Sequence, residues 1–184
     1  MSRPYHAAMR VPIFQLDAFT TRRFAGNPAA VVVLDRFLDD ALLQAVAAEN
    51  NLAETAFVVP SEGRYRLRWF TPTVEVPLCG HATLAAGAVV IERLEPGREG
   101  VVFDTASGPL TVDREGTAYR MELPARTVRA VPLPLALSAA LGVTPVETAI
   151  DGTTTSPCSP GPTTSGPSNR TSPRSPVWTG PESW

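Results

Sequence analysis

Lysine is absent from this 184-residue chain, and all 16 of its positively charged residues are arginine. Together with abundant Ala, Pro, Gly and Arg, that absence points to a GC-rich coding sequence. There are two cysteines, Cys79 and Cys158, in unlike surroundings. They make no disulfide framework, and a reducing cytoplasm is the default expectation. The two histidines, His6 and His81, add no metal-ligand spacing to those cysteines, so the sequence predicts no metal site. No Gly-x-Gly-x-x-Gly fingerprint or P-loop occurs, and no Ser-His-Asp arrangement stands out. No apolar run reaches the roughly 18 residues that span a bilayer. The opening MSRPYHAAMRVPIF lacks an apolar stretch of the secretory kind, so residues 1–8 are expected to be a disordered leader before Met9. A net charge of −2 predicts neither a nucleic-acid nor a membrane partner.

A hydrophobic fraction of 43% is ordinary for a globular protein. Branched apolar residues predict strands over 11–17 and 30–35, joined by a loop from Thr20 that ends in the turn tripeptide Gly26-Asn27-Pro28. Asp39 is a candidate N-cap for a helix over about 40–50, whose apolar face is Leu42, Leu43, Val46 and Ala47. Strands follow over 54–59 and 64–70. In the second, Tyr65, Leu67 and Trp69 alternate with Arg64, Arg66 and Arg68, which predicts a half-buried strand with a charged outer face. His81 to Leu94 is apolar on nearly all sides and rich in small residues. A helix of that kind is buried, and its small side chains let strands approach closely. Further strands are expected over 101–104, 109–113 and 118–123, and a short helix over about 134–141. The fold class is α+β, with short strands around one buried helix. After Ile150 the sequence turns to Ser, Thr, Pro and Gly, and 151–184 is expected to be a disordered tail, since it holds too few apolar residues to offset the entropy of ordering.

Few residues stand out for chemistry. Glu54 lies between a helix end and an apolar strand, where an ionised carboxylate is costly to bury. It either serves as a general acid and base or simply faces solvent at the strand's start. Pro77-Leu78-Cys79-Gly80-His81 leads into the buried helix. Its free N–H groups form an anion site, Gly80 lets a carboxylate reach the backbone, and His81 could move protons. Equally, Cys79 could be a small core hydrophobe and His81 a satisfied cap. Asn27 becomes a substrate contact only if its loop faces that helix start.

Gln15-Leu16-Asp17-Ala18-Phe19-Thr20, Phe24-Ala25-Gly26-Asn27-Pro28-Ala29-Ala30-Val31, Asn51-Leu52-Ala53-Glu54-Thr55-Ala56-Phe57, Phe70-Thr71-Pro72 and Glu75-Val76-Pro77-Leu78-Cys79-Gly80-His81-Ala82-Thr83 occur in an order and spacing that resembles the PhzF-like family of phenazine biosynthesis. The resemblance covers about residues 9–150. It implies a diaminopimelate-epimerase-like lobe, a curled, mostly antiparallel sheet around one central helix, and a second similar lobe facing it across a cleft. It also implies a cofactor-independent isomerase, commonly a homodimer, acting on a small carboxylate-bearing substrate. The family's catalytic glutamate falls on Glu54 and its cleft-facing pair on Gly80 and His81. Cys79 resembles the thiol position of diaminopimelate epimerases, which makes an epimerase or racemase the alternative, though no second thiol is at hand. No counterpart of the second lobe's helix start is found in 151–184, so an inactive, association-prone half-fold is a further alternative. Shifted by one reading frame, Ser, Thr, Pro and Arg codons of this tail are compatible with apolar, strand- and helix-like strings. A frame-shifted second half is therefore expected there, and the DNA sequence past codon 150 would test it.

Overall fold

The computed structural model describes residues 10–123 and, beyond them, 127–134, 136, 139–140, 142 and 147–150, with the backbone of 155–158 and 178–179. The expected leader and most of the expected tail and of the 134–141 helix lie outside the described residues. The chain divides into two compact units, 1–123 with 174–184 and 124–173.

The first unit is α+β. Its strands are β1 (Ile13–Ala18), β2 (Asn27–Val33), β3 (Glu54–Ser61), β4 (Arg64–Phe70), β5 (Glu75–Val76), β6 (Gly100–Thr105), β7 (Gly108–Glu115) and β8 (Ala118–Glu122). Its helices are α1 (Asp40–Asn50) and α2 (Gly80–Val89), the latter running on into a π-helical turn, Val90–Leu94. A last strand, Trp178–Thr179, pairs with β8 and closes a nine-stranded sheet of order β1-β2-β3-β4-β6-β7-β8 and Trp178–Thr179, with β5 on β4. Pairing is antiparallel except for β2 with β3 and β4 with β6. The helix α2 touches β1, β2 and β3 near one end of this order and β7 and β8 near the other. One short helix can meet both ends only if the sheet curls around it.

The sequence explains which strands are buried twice. On β2 and β3, Ala29, Val31, Ala56 and Val58 pack toward α2, while Val32, Phe57 and Val59 pack toward α1 on the opposite face. A strand covered on both faces reads as a continuous apolar run, as AVVV and TAFVV do. On β4 the predicted alternation holds, with Tyr65, Leu67 and Trp69 buried against α2. The outward arginines are covered in part: the Arg66 and Arg68 guanidinium groups lie 4.8 Å and 5.4 Å from the Phe37 ring centroid. Arg68 also holds Glu75 through two bonds of 2.7 Å and Asp40 through one of 2.9 Å.

All residues of α2 from His81 to Val89 are buried, as the all-round apolar pattern predicts. Gly87 is required by packing, because a Cβ there would lie 2.5 Å from Val112 Cγ1 and 2.8 Å from its Cβ. Two partly buried bonds tie the π-helical end of this helix to the sheet: Tyr119 Oη donates to Glu92 at 2.6 Å and Tyr65 Oη to Glu95 at 2.6 Å. Asp39 occupies the N-cap position of α1 as expected, yet its side chain makes no capping bond. One boundary differs from expectation. The turn tripeptide is not wholly a turn, since Asn27 and Pro28 already pair with Ala18 and Asp17. A proline at the start of a strand costs little, because the missing N–H need not belong to the ladder.

The second unit contains a three-stranded antiparallel sheet in which Glu147–Ile150 lies between Arg129–Ala130 and Thr155–Cys158. These strands were not expected from the sequence, whose reading ended its last strand at 123. Among the described residues no helix is long and apolar enough to cross a membrane.

Candidate functional site

Chain geometry assembles a site at the N-terminus of α2. The parallel pair β2–β3 needs a crossover, which α1 supplies. The helix ends at Asn51, in the left-handed conformation with φ 49° and ψ 37°, and its N–H returns to the Ala47 carbonyl. Asn50 Nδ2 then donates to the buried Thr55 hydroxyl at 3.1 Å. Between these anchors Glu54 opens β3, in register with Ala29 of β2.

From the other side, Cys79 caps α2 in extended conformation and Gly80 and His81 begin its first turn. Thr83 secures this start, its backbone N–H donating to the Cys79 carbonyl at 3.2 Å and its hydroxyl to the same oxygen. The result places Glu54 Oε2 3.2 Å from His81 Nε2, with the Glu54 side chain 20% and the His81 side chain 9% exposed. That approach is close, but its alignment is not that of a hydrogen bond, so Nε2 is buried without one. On the ring's other side, His81 Nδ1 lies 3.4 Å from Cys79 Sγ. Which of the two nitrogens carries the proton is set by these neighbours.

Burial lowers the pKa of His81 below its ordinary value, against the opposing pull of the Glu54 charge and the Pro28 carbonyl. Burial thus favours the neutral imidazole. Burial likewise pushes the Cys79 thiol up to about 12, and the Glu54 charge adds to the shift; the Ala82 and His81 backbone N–H groups pull the other way. The thiol is neutral at physiological pH.

Glu54, Cys79, Gly80 and His81, all singled out in the sequence, thus come together. Asn27 sits in β2 directly before Pro28, whose carbonyl influences His81, so the start of β2 borders the site. The sequence reading missed two supports, Asn50 and Thr55, although an Asn-Asn pair at a helix end is a recognisable stop signal. It also missed that Glu54, Cys79 and His81 place one potential ligand atom each within 4.8 Å of one another. Ligand spacing along the chain gives no hint of this, because 24 residues lie between Glu54 and Cys79. Gly80 is not demanded by its protein neighbours: a Cβ there would stand 3.5 Å from Met121 Cε, an ordinary contact.

Comparison with known proteins supplies the context. An uncharacterized isomerase of Pseudomonas aeruginosa is 53% identical over 139 residues, covering 76% of this chain and 54% of that protein. A human phenazine biosynthesis-like domain-containing protein is 44% identical over 124 residues, 63% of this chain and 43% of its own length. Among solved structures, a PhzF-family protein of Enterococcus faecalis superposes with a TM-score of 0.70 at 42% identity, over 76% of this chain and 54% of that one. The chain spans about half the length of these relatives. Residues 16–154 match the model of the PhzC-PhzF family, phenazine biosynthesis-like protein, and the chain belongs to that family.

Proposed function

We propose that this chain carries the acid/base half of an isomerase site, in which Glu54 takes and returns a proton on a small carboxylate-bearing substrate without a cofactor. One observation carries the reading: a carboxyl group 3.2 Å from a buried imidazole at the N-terminus of a central helix. In such a pair the carboxyl group moves the proton and the neutral imidazole accepts or relays it. Gly80 and His81 bind the substrate's carboxylate at the helix start, where backbone N–H groups favour negative charge. Three details support that role. Gly80 has no packing reason to lack a side chain, His81 Nε2 has no hydrogen bond of its own, and Asn27 stands on the adjoining strand. The isomerase name of the P. aeruginosa relative agrees with this chemistry.

A thiol-based epimerase fits less well. A base must be deprotonated to act, and Cys79 is 7% exposed with its thiol pushed up to about 12.

The assay is solvent-deuterium incorporation into a panel of small carboxylates, followed by NMR. Because the chain spans about half of its relatives, it is run on the chain alone and on a fusion to the remaining half of the P. aeruginosa protein. Glu54→Gln keeps the shape and removes the proton carrier, so exchange should fall about 10²–10⁴-fold. His81→Ala should raise KM more than it lowers kcat. Exchange in Glu54→Gln close to the unsubstituted rate would refute the mechanism. Activity of the fusion but not of the chain alone would identify the chain as a half-site. Homodimer formation, common in the family, belongs to the same proposal and is read by sedimentation of both proteins.

A further inference from the structure

We propose that Cys79 is a positioning residue for His81: its S–H donates to Nδ1 and holds the ring proton on Nε2, toward Glu54 and the substrate. The consequence for catalysis rests on the acid/base reading above, whereas the tautomer is a property of the chain without substrate. Cys79 Sγ lies 3.4 Å from His81 Nδ1, within reach of a sulfur hydrogen bond. The sulfur is held in place: Cys79 caps α2 in extended conformation, is buried, and has its carbonyl bonded by both the N–H and the hydroxyl of Thr83. Burial, with the Glu54 charge adding to it, pushes the thiol up to about 12, so the sulfur keeps the proton it has to give. The Ala82 and His81 backbone N–H groups bear on the same sulfur as donors, which leaves its own proton as the group to be given.

The surroundings of the ring decide the direction of the bond. A neutral imidazole, which burial favours, has one N–H and one lone pair. Three groups bear on it: Cys79 Sγ beside Nδ1, Glu54 Oε2 at 3.2 Å from Nε2, and the Pro28 carbonyl. The carboxylate and the carbonyl can only accept. With the proton on Nδ1, the Nε2 lone pair would face a carboxylate oxygen at 3.2 Å, and two acceptors would repel. With the proton on Nε2, an N–H dipole meets that charge, even off the line of a hydrogen bond, and Nδ1 becomes a buried acceptor in need of a donor. Of the three groups only the thiol can donate. The Glu54 carboxylate lies beside the thiol too and offers its proton a second acceptor. That bond would leave Nδ1 without a donor or return the ring proton to it, and the second choice restores the repulsion at Nε2. The tautomer of an imidazole follows from the bond its other nitrogen makes, and Cys79 supplies that bond. In the proposed reaction an Nε2–H is a donor that a substrate carboxylate can use, where a lone pair would repel it. The thiol keeps its proton throughout and acts only through His81.

The test is made on the full chain with His6→Gln, so that His81 is its one histidine, isotope-labelled in the ring nitrogens. Long-range proton–nitrogen correlation NMR at neutral pH distinguishes the two neutral tautomers. His81 should read as the Nε2–H form, and Cys79→Ser, which keeps a donor, should leave it so. In Cys79→Ala the Nδ1 resonance should shift toward that of an imine nitrogen with no hydrogen bond. In the deuterium-exchange assay on the fusion, Cys79→Ala should slow exchange about 2–10-fold, the contribution of one hydrogen bond, and Cys79→Ser should recover most of it. An Nδ1–H tautomer overturns the proposal, as does an Nδ1 resonance or an exchange rate that Cys79→Ala leaves unchanged. The tautomer is read in the chain that keeps Cys79, so it decides the matter even if Cys79→Ala fails to fold. An Nε2–H ring with the Nδ1 shift, but no exchange in any protein, upholds the bond from Cys79 and counts against the Glu54 reading instead.

Discussion

The contact between Gly87 and Val112 makes a quantitative test of the curled sheet around α2. Substituting Gly87→Ala adds a methyl group 2.5 Å from Val112 Cγ1, 2.8 Å from its Cβ and 3.1 Å from Cγ2. Val112 cannot retreat easily, being fully buried on β7 with Val101 of β6 on one side and Met121 of β8 on the other. Its β-branched side chain also has restricted rotamer freedom. Overpacking of this kind costs about 1–3 kcal/mol, and the rigid surroundings favour the upper end. Alanine returns about 1 kcal/mol relative to glycine in a helix interior, leaving a net loss of about 2 kcal/mol. Val112→Ala alone removes two methyl groups, about 0.8 kcal/mol each in transfer plus a cavity contribution, for a loss of about 2 kcal/mol. In the double variant the new methyl enters the space the valine left. The two losses should not add to about 4 kcal/mol; the coupling should restore about 2 kcal/mol. Urea denaturation of the four proteins, followed by tryptophan fluorescence, reads these differences. A double variant as unstable as the sum would show that β7 does not press on Gly87, and the wrapping of the sheet around α2 would then be wrong.

Stability should also respond to pH through the site residues. His81 has a folded pKa below 6.5, so its contribution is complete above that pH and is lost as pH falls through the lowered value; His81→Gln should flatten this acid limb of a denaturation series. Cys79 moves from 9.0 to about 12, so its contribution is complete below about 9 and is lost as pH rises toward 12; Cys79→Ser should remove the part of the alkaline limb that precedes tyrosine titration. At Asn51, φ 49° disfavours a residue with a plain Cβ, so Asn51→Ala should cost about 1 kcal/mol while Asn51→Gly costs nothing or stabilises. Equal denaturation midpoints for these last two variants would refute the cap.

Much of the first unit was legible because its patterns are local. The alternation Arg64 to Trp69 places one set of side chains against α2 and the other outward, which any strand must do. The run 82–91 has no polar face, and the structure buries it from all sides. Legibility failed where pairing partners are distant. Whether β2 continues back through Asn27 depends on the register with β1, a partner nine residues earlier that no property of Asn27-Pro28 encodes. The π-helical widening after Val89 was likewise invisible, since what accompanies it is a pair of tyrosines on β4 and β8 that hold Glu95 and Glu92.

The site divides along the same line. That Glu54, Cys79, Gly80 and His81 are candidates could be read from residue type and from a family resemblance. Their interactions could not. The left-handed Asn51 and the Asn50–Thr55 bond determine where β3 begins, and the parallel register sets Glu54 beside Ala29. Pro28 then brings its carbonyl toward His81, and Thr83 fixes the peptide from which Cys79 projects. Each constraint is short-range in space but joins segments far apart in sequence, so the sequence displays the participants without their contacts. The consequence for chemistry is direct. A thiol judged from sequence as a candidate acid/base group is held protonated by burial beside a carboxyl group, while an imidazole that could have been a mere cap is left with a buried nitrogen lacking a hydrogen bond. Burial at the helix start therefore argues against Cys79 as a group that moves protons at neutral pH.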